Sequence, residues 1–201
     1  MKLNAKQLRT TSCVPEEVFK IKRYPIYIIV DNVLDTYNIG SIFRLADAVA
    51  AQEVILCGES LTPPHTRIKK ASVNTTEFVP WRYEKTAEMA VKSLKLKVQS
   101  QIPDGTQQSD TLKLKVVAIE QDKRSKPYTE IDWSFPLTLV VGNESYGVSK
   151  KVLKMADEIA ELPMWGINKS LNCMVSLGIV LYRAMGELES EGVKERESKR
   201  L

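Results

Sequence analysis

The sequence predicts an α/β fold: a mostly parallel sheet with helices on both faces. Short apolar runs rich in β-branched residues, IYIIV (26–30), EVILCG (53–58), KVVAIEQ (115–121) and LTLVVGN (137–143), have the length and composition of buried strands. Between them lie segments whose apolar residues recur at helical spacing. The two kinds alternate along the chain, which is the order that covers both faces of parallel strands with helices.

Taken in order, the strand 26–30 ends at Asp31 and Asn32. The stripe Ile42, Leu45, Ala46, Val49, Ala50 then marks an amphipathic helix with Asn38 as its expected cap. After the strand 53–58, EFVPWRY (77–83) reads as a third strand and Thr86 to about Leu96 as a helix. The polar stretch 99–110, with Pro and Gly, reads as a loop. Beyond 137–143, Ser149 is expected to begin a short helix and IAELPM (159–164) to form the last strand. A final helix carries Leu171, Met174, Val175, Gly178, Leu181, Tyr182, Met185 and Leu188, and the charged residues 187–201 extend it or fray. No internal repeat of 20–50 residues appears.

The chain has 201 residues, 43% hydrophobic and 27% charged, which suits one domain with a substantial core. No run approaches the roughly 18 apolar residues of a membrane helix, and the basic start lacks the apolar stretch of a signal peptide. Cys13, Cys57 and Cys173 are too few and too dispersed for a disulfide framework or a metal site, so a cytoplasmic setting is expected. Net charge is +4, and residues 1–25 alone hold Lys2, Lys6, Arg9, Lys20, Lys22 and Arg23 against Glu16 and Glu17. With HTRIKK (65–70) as a second basic stretch, the distribution points to a polyanionic partner. His65, the single histidine, is read as a loop residue.

In open parallel sheets, ligands sit beyond the carboxyl ends of the strands. Three loops occupy such positions: DNVLDTYNIGS, GNESYGVS and LPMWGINKSLN. In the first, Arg44 is expected to form an exposed pair with Asp47, three residues on. The second has Gly142 and Gly147 at the spacing of a phosphate loop, but Val148 stands where the lysine should be. Glu144 between those glycines fits a plain turn, and equally a turn that faces a positively charged ligand, a better match than phosphate. In the third, Ser170 is expected to cap the last helix, with Asn172 in its first turn.

Together the segments N-I-G-S-I-F-R-L-A-D-A (38–48), V-V-G-N-E-S-Y-G-V-S (140–149) and E-L-P-M-x-G-x-x-x-S-L-N (161–172) resemble, in order and spacing, the three motifs of the SpoU/TrmH-type SPOUT RNA 2′-O-ribose methyltransferases. The resemblance spans about residues 26–186, between a basic extension (1–25) and a charged tail (187–201). It implies a C-terminal trefoil knot, a homodimer with the active site near the interface, and S-adenosylmethionine held largely by backbone at Ile119, Gly142, Leu162, Met164 and Leu171, with Ser170 close by. It also implies that Asn38, Arg44, Glu144, Ser170 and Asn172 are the active-site residues.

The implied substrate is RNA. A short basic extension is closer to relatives that act on tRNA than to those that carry an additional N-terminal domain and act on rRNA. A guanidinium is a poor proton acceptor, so Arg44 is expected to bind the developing alkoxide or an RNA phosphate, with phosphate or water taking the proton. Two rival readings stand beside this one: a non-catalytic RNA-binding protein of the same fold, and a nucleotide-binding enzyme using the 142–149 loop.

Overall fold

The structure, a computed structural model, describes Gln7, Val18 and residues 20–101 and 113–198, with side chains up to residue 190. Seven strands form one sheet: β1 (Tyr24–Asp31), β2 (Ala51–Cys57), β3 (Trp81–Glu84), β4 (Lys115–Ile119), β5 (Lys126–Pro127), β6 (Leu137–Gly142) and β7 (Glu158–Glu161). Their order is β3-β2-β1-β6-β4-β7-β5, and every pairing is parallel. From Tyr24 on, the α-helices among the described residues are α1 (Thr36–Ala48), α2 (Thr66–Ser72), α3 (Ala87–Gln99), α4 (Lys150–Met155) and α5 (Cys173–Ser198).

Strand alternation sorts the core into two layers. Ile26, Ile28 and Val30 of β1 pack on one face with Ile39, Ile42, Phe43 and Ala46 of α1 and with Leu177, Val180 and Leu181 of α5. Tyr27 and Ile29 point the other way, towards Ala90, Val91 and Leu94 of α3 and Val152 of α4. Both faces are therefore buried, and that is why the strands read as continuous apolar runs rather than as alternating ones. The predicted fold class is the one observed.

Several local expectations need correction. The cap of α1 is Asp35, not Asn38; its carboxylate accepts from Tyr37 N–H, and the helix starts two residues before Asn38. Residues 77–80 are not strand. Glu77 ends a 3-10 turn, and β3 begins only at Trp81. The last strand stops at Glu161 rather than at 164. His65 lies in the loop as expected, and the rest of the basic stretch HTRIKK, to which no element was assigned, forms α2, packed on α1 through Ile68. Ser149 does precede α4, but its side chain makes no capping bond; its N–H donates to Asp31 Oδ2 at 2.9 Å.

Asn172, not Ser170, caps α5. Asn172 Oδ1 accepts from Met174 N–H at 2.9 Å, which leaves Leu171 in the preceding loop. α5 runs through the charged tail as far as Ser198. The polar stretch 99–110 lies mostly outside the described residues, as do Lys2, Lys6, Arg9 and Cys13.

Arg23 belongs to the fold rather than to a free basic cluster. Its guanidinium donates to the carbonyls of Ala51 and Phe78, and burial lowers its pKa while Asp47 opposes that shift. Asp47 thus has Arg23 as its charged neighbour, not Arg44. Among the described residues no helix is long and apolar enough to cross a membrane.

Candidate functional site

Four strand ends define the site. In register, Asp31 of β1 lies beside Gly142 of β6, and Ile119 of β4 beside Ala160 of β7. The loops that leave β4, β6 and β7 surround a cleft of about 450 Å³, a size that suits a small organic cofactor.

The β6–α4 loop is a closed turn. Asn143 and Gly147 exchange backbone hydrogen bonds of 3.1 and 2.8 Å, while Asn143 Oδ1 accepts from the N–H groups of Ser145 and Tyr146. Asn143 Nδ2 donates to Asn32 O at 2.8 Å, which fastens the turn to the end of β1. Neither glycine leaves room for a Cβ without a shift in its neighbours. A Cβ on Gly142 would lie 2.1 Å from the Gly147 carbonyl carbon. Gly147 has φ +66°, and a Cβ there would lie 1.9 Å from Glu120 Oε2. Glu120, at the end of β4, accepts from Val148 N–H at 2.9 Å and so fixes the far side of the turn.

Glu144 points from this turn into the first loop. Its carboxylate accepts from Asn38 Nδ2 at 2.8 Å, Asp35 N–H at 3.1 Å and Leu34 N–H at 3.2 Å, beside the positive end of α1. Partial burial opposes its ionisation, but the hydrogen bonds from Asn38 and from the Glu144, Leu34 and Asp35 backbone together outweigh that and hold its pKa below the usual value. Asn38 is buried, and its Oδ1 accepts from Asn172 Nδ2 at 3.0 Å. One bridge, Glu144–Asn38–Asn172, therefore joins all three loops.

The expected cofactor residues distribute as follows. Ile119, Gly142, Leu162, Ser170 and Leu171 line the cleft, together with Glu144 and Asn172. Met164 lines a neighbouring hollow that shares Gln121, Glu161 and Leu162 with it. Gln121 Nε2 donates to Lys169 O at 2.6 Å and ties the β7–α5 loop to the end of β4.

Arg44 stands apart. It is exposed on α1, makes no hydrogen bond or ion pair among the described residues, and does not line the cleft. Sequence reasoning missed Asp31, Glu120, Gln121 and Asn143 as parts of the site. The signal that could have found three of them is a polar residue closing an apolar strand, which holds for Asp31, Glu120 and Asn143.

The cleft's charge limits its ligand. Glu120, Glu144 and Glu161 line it, and among the described residues no Lys or Arg does. A triphosphate would meet three carboxylates with no compensating cation, whereas a cationic ligand suits that lining. Cys173, also in the lining, has its thiol pushed up to about 11 by burial and by Glu144. No group of three or more potential metal ligands occurs among the described residues.

Residues 25–182 match the family model described as the SpoU rRNA Methylase family. The chain belongs to that family. Among curated relatives of this SpoU-family chain is a tRNA (guanosine(18)-2'-O)-methyltransferase of Aquifex aeolicus, 31% identical over 90% of this chain and 79% of the relative. The crystal structure of the A. aeolicus TrmH/SpoU tRNA modifying enzyme superposes with a TM-score of 0.69 at 27% identity, covering 94% of this chain and 84% of that one. An AdoMet-bound rRNA methyltransferase from Sinorhizobium meliloti gives a TM-score of 0.69 at 27% identity over 85% of this chain and 60% of the other.

Proposed function

We propose that this SpoU-family chain is an S-adenosylmethionine-dependent methyltransferase acting on a ribose 2′-hydroxyl of tRNA. The observation that carries the reading is the Glu144–Asn38–Asn172 bridge, which ties the first motif loop to the two that line a cleft bearing carboxylates. S-adenosylmethionine supplies an activated methyl group on a sulfonium cation, and the lining, with three carboxylates and no basic side chain among the described residues, fits that charge. Backbone at Ile119, Gly142, Leu162 and Leu171 would hold it, with Met164 at the edge and Ser170 beside Leu171.

Within this reading the chain's own residues mainly orient the reactants. Glu144 fixes the first loop and balances the ligand's charge. Asn172 presents its amide in the cleft lining, held in place by Asn38, and Ser170 offers a hydroxyl with no partner among the described residues. Arg44 would neutralise the developing alkoxide or an RNA phosphate, with phosphate or water taking the proton.

Arg44's place outside its own cleft favours assembly as a homodimer, in which it serves the partner's site. Val175, Ile179 and Tyr182 form an exposed stripe on α5, the helix against which Leu45 packs at Gly178. Such a stripe next to Arg44 suits a self-complementary contact. The knotted threading of the C-terminal segment that the family resemblance implies is part of the same reading. A cytoplasmic protein of one catalytic domain, from about residue 26 to 186, with a basic extension and a charged tail, completes the reading.

The test incubates the protein and labelled cofactor with total tRNA and with rRNA, then maps phosphodiester bonds that resist alkaline cleavage. Guanosine 18 of tRNA is the first position to examine, given the A. aeolicus relative's name. Methylation of rRNA alone would move the substrate; no methylation of either, with cofactor bound, would favour a non-catalytic binder. Mixing inactive Arg44→Ala and Asn172→Ala proteins tests the shared site, because mixed dimers regain one intact centre only if Arg44 works across the interface.

A further inference from the structure

Trp165 and Tyr146 are 92% and 91% exposed, and Ile167 is fully exposed. A single exposed apolar side chain is ordinary, but here the three most exposed large apolar residues among those described all stand on the two loops that build the cleft and its neighbouring hollow. Tyr146 belongs to the lining of the cleft itself. Trp165 lies between Met164 and Gly166, both in the lining of the hollow, and nothing comes within 4 Å of where a Gly166 Cβ would stand. Neither the Trp165 indole N–H nor the Tyr146 hydroxyl has a hydrogen-bond partner among the described residues.

Resting on the methyltransferase reading, we infer that Trp165, with Tyr146 across the rim, is a stacking platform for an unpaired base of the RNA substrate, adjoining the ribose to be methylated. A ribose enters a cleft most readily from a nucleotide drawn out of regular helical stacking, and RNA-binding proteins meet such bases with aromatic faces. Stacking on an indole is tolerant of base identity and needs no hydrogen bond, as fits a side chain with neither partner nor pocket. Lys169 lines the same hollow and makes no ion pair among the described residues, so its ammonium is free for the adjoining phosphate. The carboxylate-lined cleft repels the RNA backbone, and the rim holds it where the sugar alone enters.

The chain offers its own probe. Trp133 is buried and Trp81 is packed against the core, so Trp165 is the tryptophan that a ligand on the rim can reach. Titrating a tRNA transcript into protein saturated with S-adenosylhomocysteine should quench tryptophan emission, and Trp165→Phe should abolish that signal. In methylation assays Trp165→Ala should raise the KM for tRNA about tenfold or more, with kcat and cofactor Kd nearly unchanged. Trp165→Phe, which keeps an aromatic face, should restore most of the affinity.

An unchanged KM in Trp165→Ala would overturn the inference. So would quenching by the cofactor product alone, which would make the loop a cofactor lid. Quenching that follows protein concentration without RNA would overturn it as well, because Trp165 would then be a subunit contact. Wild-type protein that binds cofactor but methylates no RNA would sink the underlying functional reading, a result separate from any of these.

Discussion

Asn38 accepts a hydrogen bond from Asn172 at 3.0 Å, although 134 positions separate the two residues. The buried amide of Asn38 is engaged in both directions, donating to Glu144 as it accepts from Asn172. Alanine at Asn38 therefore leaves two polar groups short of a partner. Asn38→Ala should cost about 1–2 kcal/mol in urea unfolding, and the pair with Asn172→Ala should be non-additive by about 0.5 kcal/mol or more. Methyl transfer should fall at least tenfold in either single variant if the bridge orients the ribose.

The pKa of Glu144 is lowered in the folded protein, so its contribution is present above the ordinary carboxylate range and lost as pH falls through the folded value. Stability should decline below about pH 4.5, and Glu144→Gln should flatten that part of the curve. The side chain is exposed, so the effect is screened and modest, about 1 kcal/mol at most. Thermal melts of both proteins between pH 3 and 7 would measure it (roughly the range in which carboxylates titrate).

Gly147→Ala places a methyl group against the Glu120 carboxylate at positive φ, while Gly142→Ala drives one into backbone. Glu120 is a side chain that can rotate away, at the expense of its bond to Val148 N–H. The Gly147 variant should therefore fold with a stability loss of about 1–3 kcal/mol and bind cofactor more weakly. Gly142→Ala should be the more damaging of the two, because the Gly147 main chain cannot yield without opening the turn. Calorimetry with S-adenosylmethionine and melting temperature would rank them.

Cys173 has its thiol pushed up to about 11, and Cys57 to about 12, chiefly by burial. In a Cys13→Ser background, alkylation at neutral pH should be slow at both. The rate at Cys173 should rise about tenfold per pH unit as thiolate accumulates. Cofactor should protect Cys173, which lines the cleft, and leave Cys57 unaffected. Mass spectrometry of the alkylated peptides would check this.

The layer architecture was legible because both sheet faces are covered, which makes IYIIV and LTLVV uninterrupted in sequence. The three loops were legible because ligand sites follow strand ends. What escaped was whatever depends on distant pairing. Asn38 resembles a cap when only its neighbours are read, yet Asp35 caps the helix and Asn38 is drawn inside to meet Glu144. Asp31 and Glu120 look like the ordinary ends of apolar strands, but they accept from Ser149 and Val148, the two residues that lead into α4. α2 was missed because its 7 residues follow a proline pair and carry no apolar stripe. Ser170 and Asn172 are both good caps, and local sequence does not choose between them.

The Asn143–Gly147 clasp has one further consequence. A turn that bonds to itself, and is also stapled to β1 and β4, has little independent freedom to breathe. Amide protons at Gly147 and Val148 should then exchange with solvent on the slow timescale of the central strands, rather than at the rate of a surface loop. Heat would erase the donor pocket and the sheet in a single transition, with no interval in which the protein is folded but unable to bind.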